Sequence, residues 1–369
     1  MKLQVLQEEF VKNVNIAQRF TSSRAQLPVL GNVMLQGLGN KLYISATNLE
    51  NSIYTSIGAK IENEGEITVP VKILYDLISN LNSGNVELKS EKEVLEISSG
   101  SFSSKITGVN ASDFPSIPKR VDKEALKLPF DLFKESLNKI LFSVSNDETR
   151  PILTGVLMVF KKDEAIFVST DGFRLSKRLL KGKGVGVETK LIIPKGILSE
   201  IARLETEEEN LMISTKDGQV VFKVGGMILS SRVIEGDFPD YEKIIPKSSD
   251  IKINIDKDDF LQGIKLASVF ARDSANIVKL VMEKDGIVIN AESQSHGNQK
   301  NKVEAKIDST SKSSPLLEIA YNYRFIEEFL QIAGGDVEIE FTNANAPGVF
   351  NDAQDSDLLH LIMPVRLQS

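Results

Sequence analysis

Residues 191–204 read LIIPKGILSEIARL: an apolar strand runs into Pro194 and continues directly as a helix. Proline lacks the N–H a ladder needs, while its fixed φ suits the first turn of the helix that follows. The same transition stands 124 residues earlier as ITVPVKILYDLISNL from Ile67. It returns 126 residues later as LEIAYNYRFIEEFLQIA from Leu317, with alanine in the proline's place. The chain therefore reads as a threefold repeat.

Two further markers keep that period. Asp113-Phe114-Pro115 and Asp237-Phe238-Pro239 lie 124 residues apart, and each is followed by Ile-Pro-Lys, within SIPK and IIPK. An opening strand leading into an amphipathic helix begins at Leu3 (LQVLQEEFVKNVNIAQRF), Leu126 (LKLPFDLFKESLNKILFSV) and Ile251 (IKINIDKDDFLQGIKLASVF). A chain of 369 residues exceeds what one core ordinarily serves, whereas a period of about 125 is a common domain size. Three homologous domains follow, at 1–120, 121–247 and 248–369. Pro, Ser, Lys and Asp cluster at both boundaries, near Arg120 and Lys247.

Within each unit the pattern is strand, helix, strands, then helix and strands again. Phe10, Val14, Ala17 and Phe20 recur at helical spacing and give the first helix one apolar face. KLYISATN and EITVPV alternate apolar with polar residues, while GVLMVF and AIFVST read as buried or half-buried strands. Antiparallel sheets covered on one face by two helices place the chain in the α+β class.

Forty-four Lys and Arg stand against 51 Asp and Glu, and the net charge of −7 argues against a general affinity for nucleic acid. Distribution matters more than the sum. Each helix carries basic residues off its apolar face: Lys12 and Arg19 in the first repeat, Lys134 and Lys139 in the second, Lys265 and Arg272 in the third. The second helices add Lys72, Lys195 with Arg203, and Arg324. Solubilising charge explains any one of them, but recurrence across repeats predicts a basic face for phosphate, sequence-independent and sensitive to salt.

Catalytic chemistry is sparse. Zero cysteines exclude disulfides, thiolate metal sites and cysteine nucleophiles. The two histidines, His296 and His360, sit in no ligand cluster of zinc-like spacing, and His360 lies in the apolar run LLHLIMPV, as a structural histidine would. Gly182–Gly186 (GKGVG) lacks the spacing and the Ser/Thr of a phosphate loop and reads as a surface turn. Asp171 in STDGFRL reads as part of a tight turn in which Asp-Gly supplies the positive φ, rather than as a base or nucleophile. No 18-residue apolar segment is present, and the opening MKLQVLQEEFVKNVN lacks the uninterrupted apolar stretch of a secretory signal, so a cytoplasmic protein without a membrane partner is expected.

LPVLGNVMLQ from Leu27, TRPILTGVLM from Thr149, STDGFRL from Ser169, EGDFPDYEKIIP from Glu235 and LIMPVRL from Leu361 are together similar to the bacterial DNA polymerase III beta sliding clamp family. The resemblance runs from the first strand to the last residues. It implies a head-to-tail homodimer in which two three-domain chains close a six-domain ring around double-stranded DNA, with helices lining the hole. It also implies a processivity factor without enzymatic activity or cofactor. Its implied partners are the DNA polymerase III alpha subunit, the clamp loader, other polymerases and repair proteins, docking through short linear motifs.

Carried over motif by motif, the docking pocket takes Leu153, Thr170, Gly172, Phe173, Arg174 and Leu175 from the second repeat. Pro239, Lys243 and Ile244 come from the linker after it. Leu361, Ile362, Met363, Pro364, Val365 and Arg366 form the C-terminal wall. Aliphatic residues of this kind make an adaptable cleft for a Leu- or Phe-bearing peptide. Lys243 stands where the family often has Arg, and Phe173 where it often has His or Tyr. The resemblance assigns DNA contact to Arg24 and Arg150, with Lys72 and Lys195 as additions at helix starts. Pro151 and Ile152 replace tyrosines found in some members, so no aromatic contact with DNA is expected. Two other readings stay open on sequence: a peptide-binding scaffold of the same fold that never encircles DNA, and a hydrolase built on Asp171 with a distant carboxylate.

Overall fold

The structure is a computed structural model that describes residues 1–22, 27–182, 188–309 and 317–366. The first repeat contains β1 (Lys2–Leu6), α1 (Gln7–Gln18), β2 (Asn32–Leu38), β3 (Lys41–Thr47), β4 (Asn51–Gly58), β5 (Lys60–Asn63), β6 (Gly65–Pro70), α2 (Val71–Ile78), β7 (Asn85–Glu91), β8 (Val94–Ser99) and β9 (Phe102–Thr107). The second contains β10 (Leu126–Pro129), α3 (Phe130–Ile140), β11 (Gly155–Phe160), β12 (Glu164–Thr170), β13 (Arg174–Lys181), β14 (Thr189–Pro194), α4 (Lys195–Ala202), β15 (Asn210–Lys216), β16 (Gln219–Val224) and β17 (Met227–Arg232). The third contains β18 (Ile251–Ile255), α5 (Lys257–Ala271), β19 (Ile277–Glu283), β20 (Gly286–Ser293), β21 (Gly297–Ser309), β22 (Glu318–Asn322), α6 (Tyr323–Ile332), β23 (Val337–Phe341), β24 (Gly348–Asp352) and β25 (Asp355–Ile362). The order is the same three times, with β5 added in the first, and every strand pairing is antiparallel.

The chain packs as two compact units, residues 1–133 with 196–233 and residues 134–195 with 234–369. In the first unit, one sheet has the order β5-β1-β7-β8-β9 and the other β10-β15-β16-β17-β4-β3-β2-β6. The larger sheet is continued from one repeat to the next by β17 on β4, with Leu229 opposite Ile53 and Ser230 opposite Ser52. Helix α1 lies against α2, β3 and β4 and buries Phe10, Val14 and Ala17 completely, as their spacing predicts. Burial of a large apolar side chain of this kind is worth roughly 1.5–3 kcal/mol, more than the local propensity of any helix residue.

The second unit is one sheet of order β14-β11-β12-β13-β25-β24-β23-β18-β21-β20-β19-β22. The repeats join through β13 on β25, with Arg174 opposite Ile362 and Leu175 opposite Leu361. Helix α5 packs on α6, β20 and β21. Side-chain caps start both helices: Asp256 accepts from the Asp259 N–H at 2.9 Å and Asn322 from the Arg324 N–H at 3.0 Å.

The alternation in KLYISATN predicts polar residues facing water, yet Ser45 and Thr47 are buried. The Thr47 hydroxyl donates within its own turn to the Asn51 carbonyl at 3.0 Å, and the Thr68 hydroxyl on the neighbouring β6 donates to the Val109 carbonyl, beyond β9, at 2.8 Å. The GKGVG turn, apart from Gly182, lies outside the described residues.

Candidate partner-docking cleft and basic residues

The turn between β12 and β13 carries four of the candidate residues, and its hydrogen bonds account for the Thr170–Arg174 part of STDGFRL. The Asp171 carboxylate accepts from the Phe173 N–H at 2.9 Å and the Arg174 N–H at 3.0 Å, while the Thr170 hydroxyl accepts from the Gly172 N–H at 3.0 Å. Gly172 has φ +92°, a conformation that side chains with a Cβ rarely adopt. A carboxylate committed to two backbone donors and to Arg174 is a turn device, and the Asp171 hydrolase reading loses its base.

Strand pleat then divides the predicted residues between two faces. Leu175 and Leu361 lie on the face that carries a buried apolar cluster with Leu157, Ile166, Val168 and Ile192. Phe238, Tyr241 and Val349 complete that cluster, and Ile152, Ile234 and Ile245 pack against it. Above it the linker turns through the short helix Tyr241–Lys243. Phe173, Ile244 and Met363, 58%, 45% and 38% exposed, form an apolar rim, and Pro239 and Lys243 are exposed beside Ile244 on the linker. The Met363 N–H donates to the Phe173 carbonyl at 2.8 Å, so two rim residues share one backbone bond. Pro364 and Val365 are half-buried, the Val365 N–H donating to the Ala320 carbonyl at 2.8 Å, and Arg366 is exposed.

Arg174 and Ile362 face the other way, toward the helices. Arg174 is buried: its Nε donates to Asp171 at 3.1 Å and its Nη2 to the Phe142 carbonyl at 2.7 Å, and it pairs with Glu328. The guanidinium also lies 4.6 Å from the centre of the Phe325 ring and 5.2 Å from that of Phe142. Leu153 is buried outside the cluster; its neighbour Ile152 packs against it instead. Sequence reasoning missed Ile152, Phe238 and Tyr241, although Phe238 lay in the repeated DFP string. Burial, then the nearby Glu242 carboxylate, push the Tyr241 hydroxyl up to about 12, so it stays protonated.

Family models match all three repeats: the DNA polymerase III beta subunit N-terminal domain over residues 1–118, its central domain over 127–240 and its C-terminal domain over 242–366. The chain belongs to the DNA polymerase III beta subunit family. It is 30% identical to the beta sliding clamp of Synechococcus elongatus, covering 100% of each chain, and 28% identical to that of Staphylococcus aureus, covering 99% of each. The crystal structure of the DNA polymerase sliding clamp from Bacillus subtilis superposes with a TM-score of 0.93 at 26% identity, again over 100% of both chains. Three clamp domains of mixed helices and antiparallel sheets are therefore the fold of this beta-subunit chain.

The basic residues divide by environment. Lys72 is exposed on α2, beside Ile73. Arg150 is about half-exposed, pairs with Asp147 at 3.2 Å and lies over Gly172. Lys195 opens α4 half-buried and donates to Asn146 at 3.2 Å; burial and then the charge of Arg174 lower its pKa. Arg24 lies outside the described residues. Lys139 departs from the expected solvated face: it is tied into a cluster with Asp355, Glu135 and the buried Arg178. Lys12 and Lys265 are exposed as expected, whereas Arg19 pairs with Glu200 at 3.1 Å.

His360 is fully buried, its Nδ1 2.8 Å from the Ser176 hydroxyl and its ring stacked on Phe329 at 5.1 Å. Burial, then the charge of Arg174, lower its pKa to about 3, so the ring is neutral at physiological pH. Among the described residues no group of His, Cys, Asp and Glu could hold a metal, and no helix is long and apolar enough to cross a membrane.

Proposed function

We propose that this chain tethers the replicative polymerase to duplex DNA by enclosing the duplex, and that partners dock through the Phe173–Ile244–Met363 rim. As a family member it is a DNA sliding clamp, a non-catalytic processivity subunit. Enclosure replaces tight binding: weak phosphate contacts permit sliding, while a docked polymerase gains a high effective concentration at its template. What supports docking is three exposed apolar side chains, Phe173, Ile244 and Met363, on the same segments that supply Leu175, Tyr241 and Leu361 to a buried apolar cluster. Short segments from the DNA polymerase III alpha subunit, the clamp loader and repair proteins are its proposed occupants.

The domains are proposed at 1–120, 121–247 and 248–369, and the assembly as a head-to-tail homodimer in the cytoplasm. Support for the dimer comes from equivalent positions on the second helices, counted from their first residues Val71, Lys195 and Tyr323. Ile197 on α4 is fully covered, and Phe325 on α6 lies under the Arg174 guanidinium, but the matching Ile73 on α2 is 52% exposed. Leu266 and Val269 on α5 are likewise 48% and 59% exposed. A second copy that lays its α5 against α2 covers both patches, and two such heterologous contacts close a ring. Lys72, Arg150 and Lys195, with Arg24, are the proposed phosphate contacts.

Retention on circular against linearised DNA after loading by a cognate clamp loader tests the reading. Retention on circles with loss on linearisation is expected. Equal loss from both, with loading verified by a known clamp, would leave a peptide-binding scaffold.

A further inference from the structure

The docking turn has a second copy in the first repeat, matched bond for bond. Thr47, Asn48, Leu49, Glu50 and Asn51 occupy the places of Thr170, Asp171, Gly172, Phe173 and Arg174. The Leu49 N–H donates to the Thr47 hydroxyl at 3.0 Å, as Gly172 does to Thr170, and the Asn51 N–H donates to Asn48 Oδ1 at 2.7 Å, as Arg174 does to Asp171. Leu49 has φ +76° where Gly172 has +92°. The Arg232 N–H donates to the Glu50 carbonyl at 3.3 Å, the counterpart of Met363 to Phe173. Strand β17 sits on β4 as β25 sits on β13.

The side chains on this shared scaffold are opposite in character. Rim residues Phe173, Ile244 and Met363 become Glu50, Ser116 and Arg232, all exposed. Floor residues Val168, Leu175 and Leu361 become Ser45, Ser52 and Ser230, all buried, with Ser52 and Ser230 bonded to each other at 2.6 Å. Tyr43 and Tyr54 stack at 5.3 Å across the same face, and Lys119 lies 5.5 Å from the Tyr54 ring centre. An apolar segment entering here would have to bury the exposed charges of Glu50 and Arg232, and would meet three serines in place of an apolar floor.

We infer that the first repeat carries a polar copy of the docking cleft, and that these six exchanges restrict each chain to one docked segment. The inference rests on the docking role proposed for Phe173, Ile244 and Met363. It assigns a discriminating function to Glu50, Ser116 and Arg232: they reject Leu- and Phe-bearing segments from a backbone otherwise shaped to receive them.

Calorimetric titration of the full chain with a short Leu- and Phe-bearing peptide reads the number of sites. One site per chain is expected for the unaltered protein. Two are expected after Glu50→Phe, Ser116→Ile and Arg232→Met combined with Ser45→Val, Ser52→Leu and Ser230→Leu. One site in both folded proteins overturns the inference and leaves the docking cleft standing; no site in the unaltered protein removes the docking reading and this inference with it. Should the sixfold variant fail to fold, two other measurements decide. The exposed-rim variant Phe173→Glu, Ile244→Ser, Met363→Arg is expected to bind at least about thirtyfold more weakly. A photo-crosslinking peptide on the unaltered chain is expected to label the Phe173 rim alone. Undiminished binding by the rim variant, or a crosslink near Tyr54, overturns the inference.

Discussion

Arg174 Nε donates to the Asp171 carboxylate at 3.1 Å, so the side chain that leaves the β12–β13 turn on its helix-facing side also fixes the turn that carries the exposed Phe173. Arg174→Lys keeps the charge but loses the planar fork, which alone reaches Asp171, Glu328 and the Phe142 carbonyl together. The expected loss is about 2–3 kcal/mol, since a buried guanidinium is replaced by an ammonium with fewer partners while Glu328 remains partly hydrated. Urea unfolding checks the stability, and peptide titration should show weaker docking although the residue does not face the cleft.

The paired turns make opposite predictions at their φ-positive positions. Gly172→Ala places a Cβ at φ +92° and 3.0 Å from Arg150 Nη1, at an expected cost of about 1–2 kcal/mol. Leu49→Asn replaces an exposed residue strained at φ +76° with one that tolerates that region, and should raise stability by about 0.5–1 kcal/mol. Thermal melts of the two variants should move in opposite directions.

The repeat, the α+β class and the STDG turn were legible in sequence because each depends on local spacing: a period of about 125, helix and strand alternation, and an Asp-Gly pair. The assignment of faces was not. Arg174 and Leu175 are neighbours in the chain, but the pleat sends one toward α6 and the other into the apolar cluster. Lys139 looked like a solvated helix charge because its partner Asp355 lies 216 residues away. Ser45 and Thr47 looked outward-facing because alternation along one strand does not tell whether a polar face is exposed, and both are buried. The sheets that continue from one repeat into the next, by β17 on β4 and β13 on β25, left no local mark either.

The Asp355 cluster gives a prediction with a sign. Burial alone would raise the Asp355 pKa, but hydrogen bonds and charge from Lys139 and Arg178 outweigh it and hold the carboxyl below its ordinary range. Its contribution is therefore present above the unfolded carboxylate pKa of about 3.9 and lost as pH falls through the lower folded value. Asp355→Asn leaves the buried Arg178 with only the half-exposed Glu135 carboxylate, at 3.5 Å, and should cost about 3 kcal/mol at pH 7. The gap between the two proteins in urea unfolding should close below about pH 4; a gap constant from pH 7 to pH 3 would count against the cluster.

His360 predicts the opposite kind of acid sensitivity, beginning at milder pH. Its folded pKa is lowered from 6.5 to about 3, so between those values the unfolded chain binds a proton that the folded chain refuses. Stability must then fall as pH drops below 6.5, with a limiting slope of about 1.4 kcal/mol per pH unit from this residue. His360→Gln removes the titrating group and should flatten that part of the profile, while costing stability at pH 7 through the lost stacking on Phe329 and Phe142. Unfolding free energies at pH 7, 6, 5 and 4.5 decide it: equal slopes in the two proteins would mean that His360 takes up its proton without unfolding, against a ring fully buried between two phenylalanines.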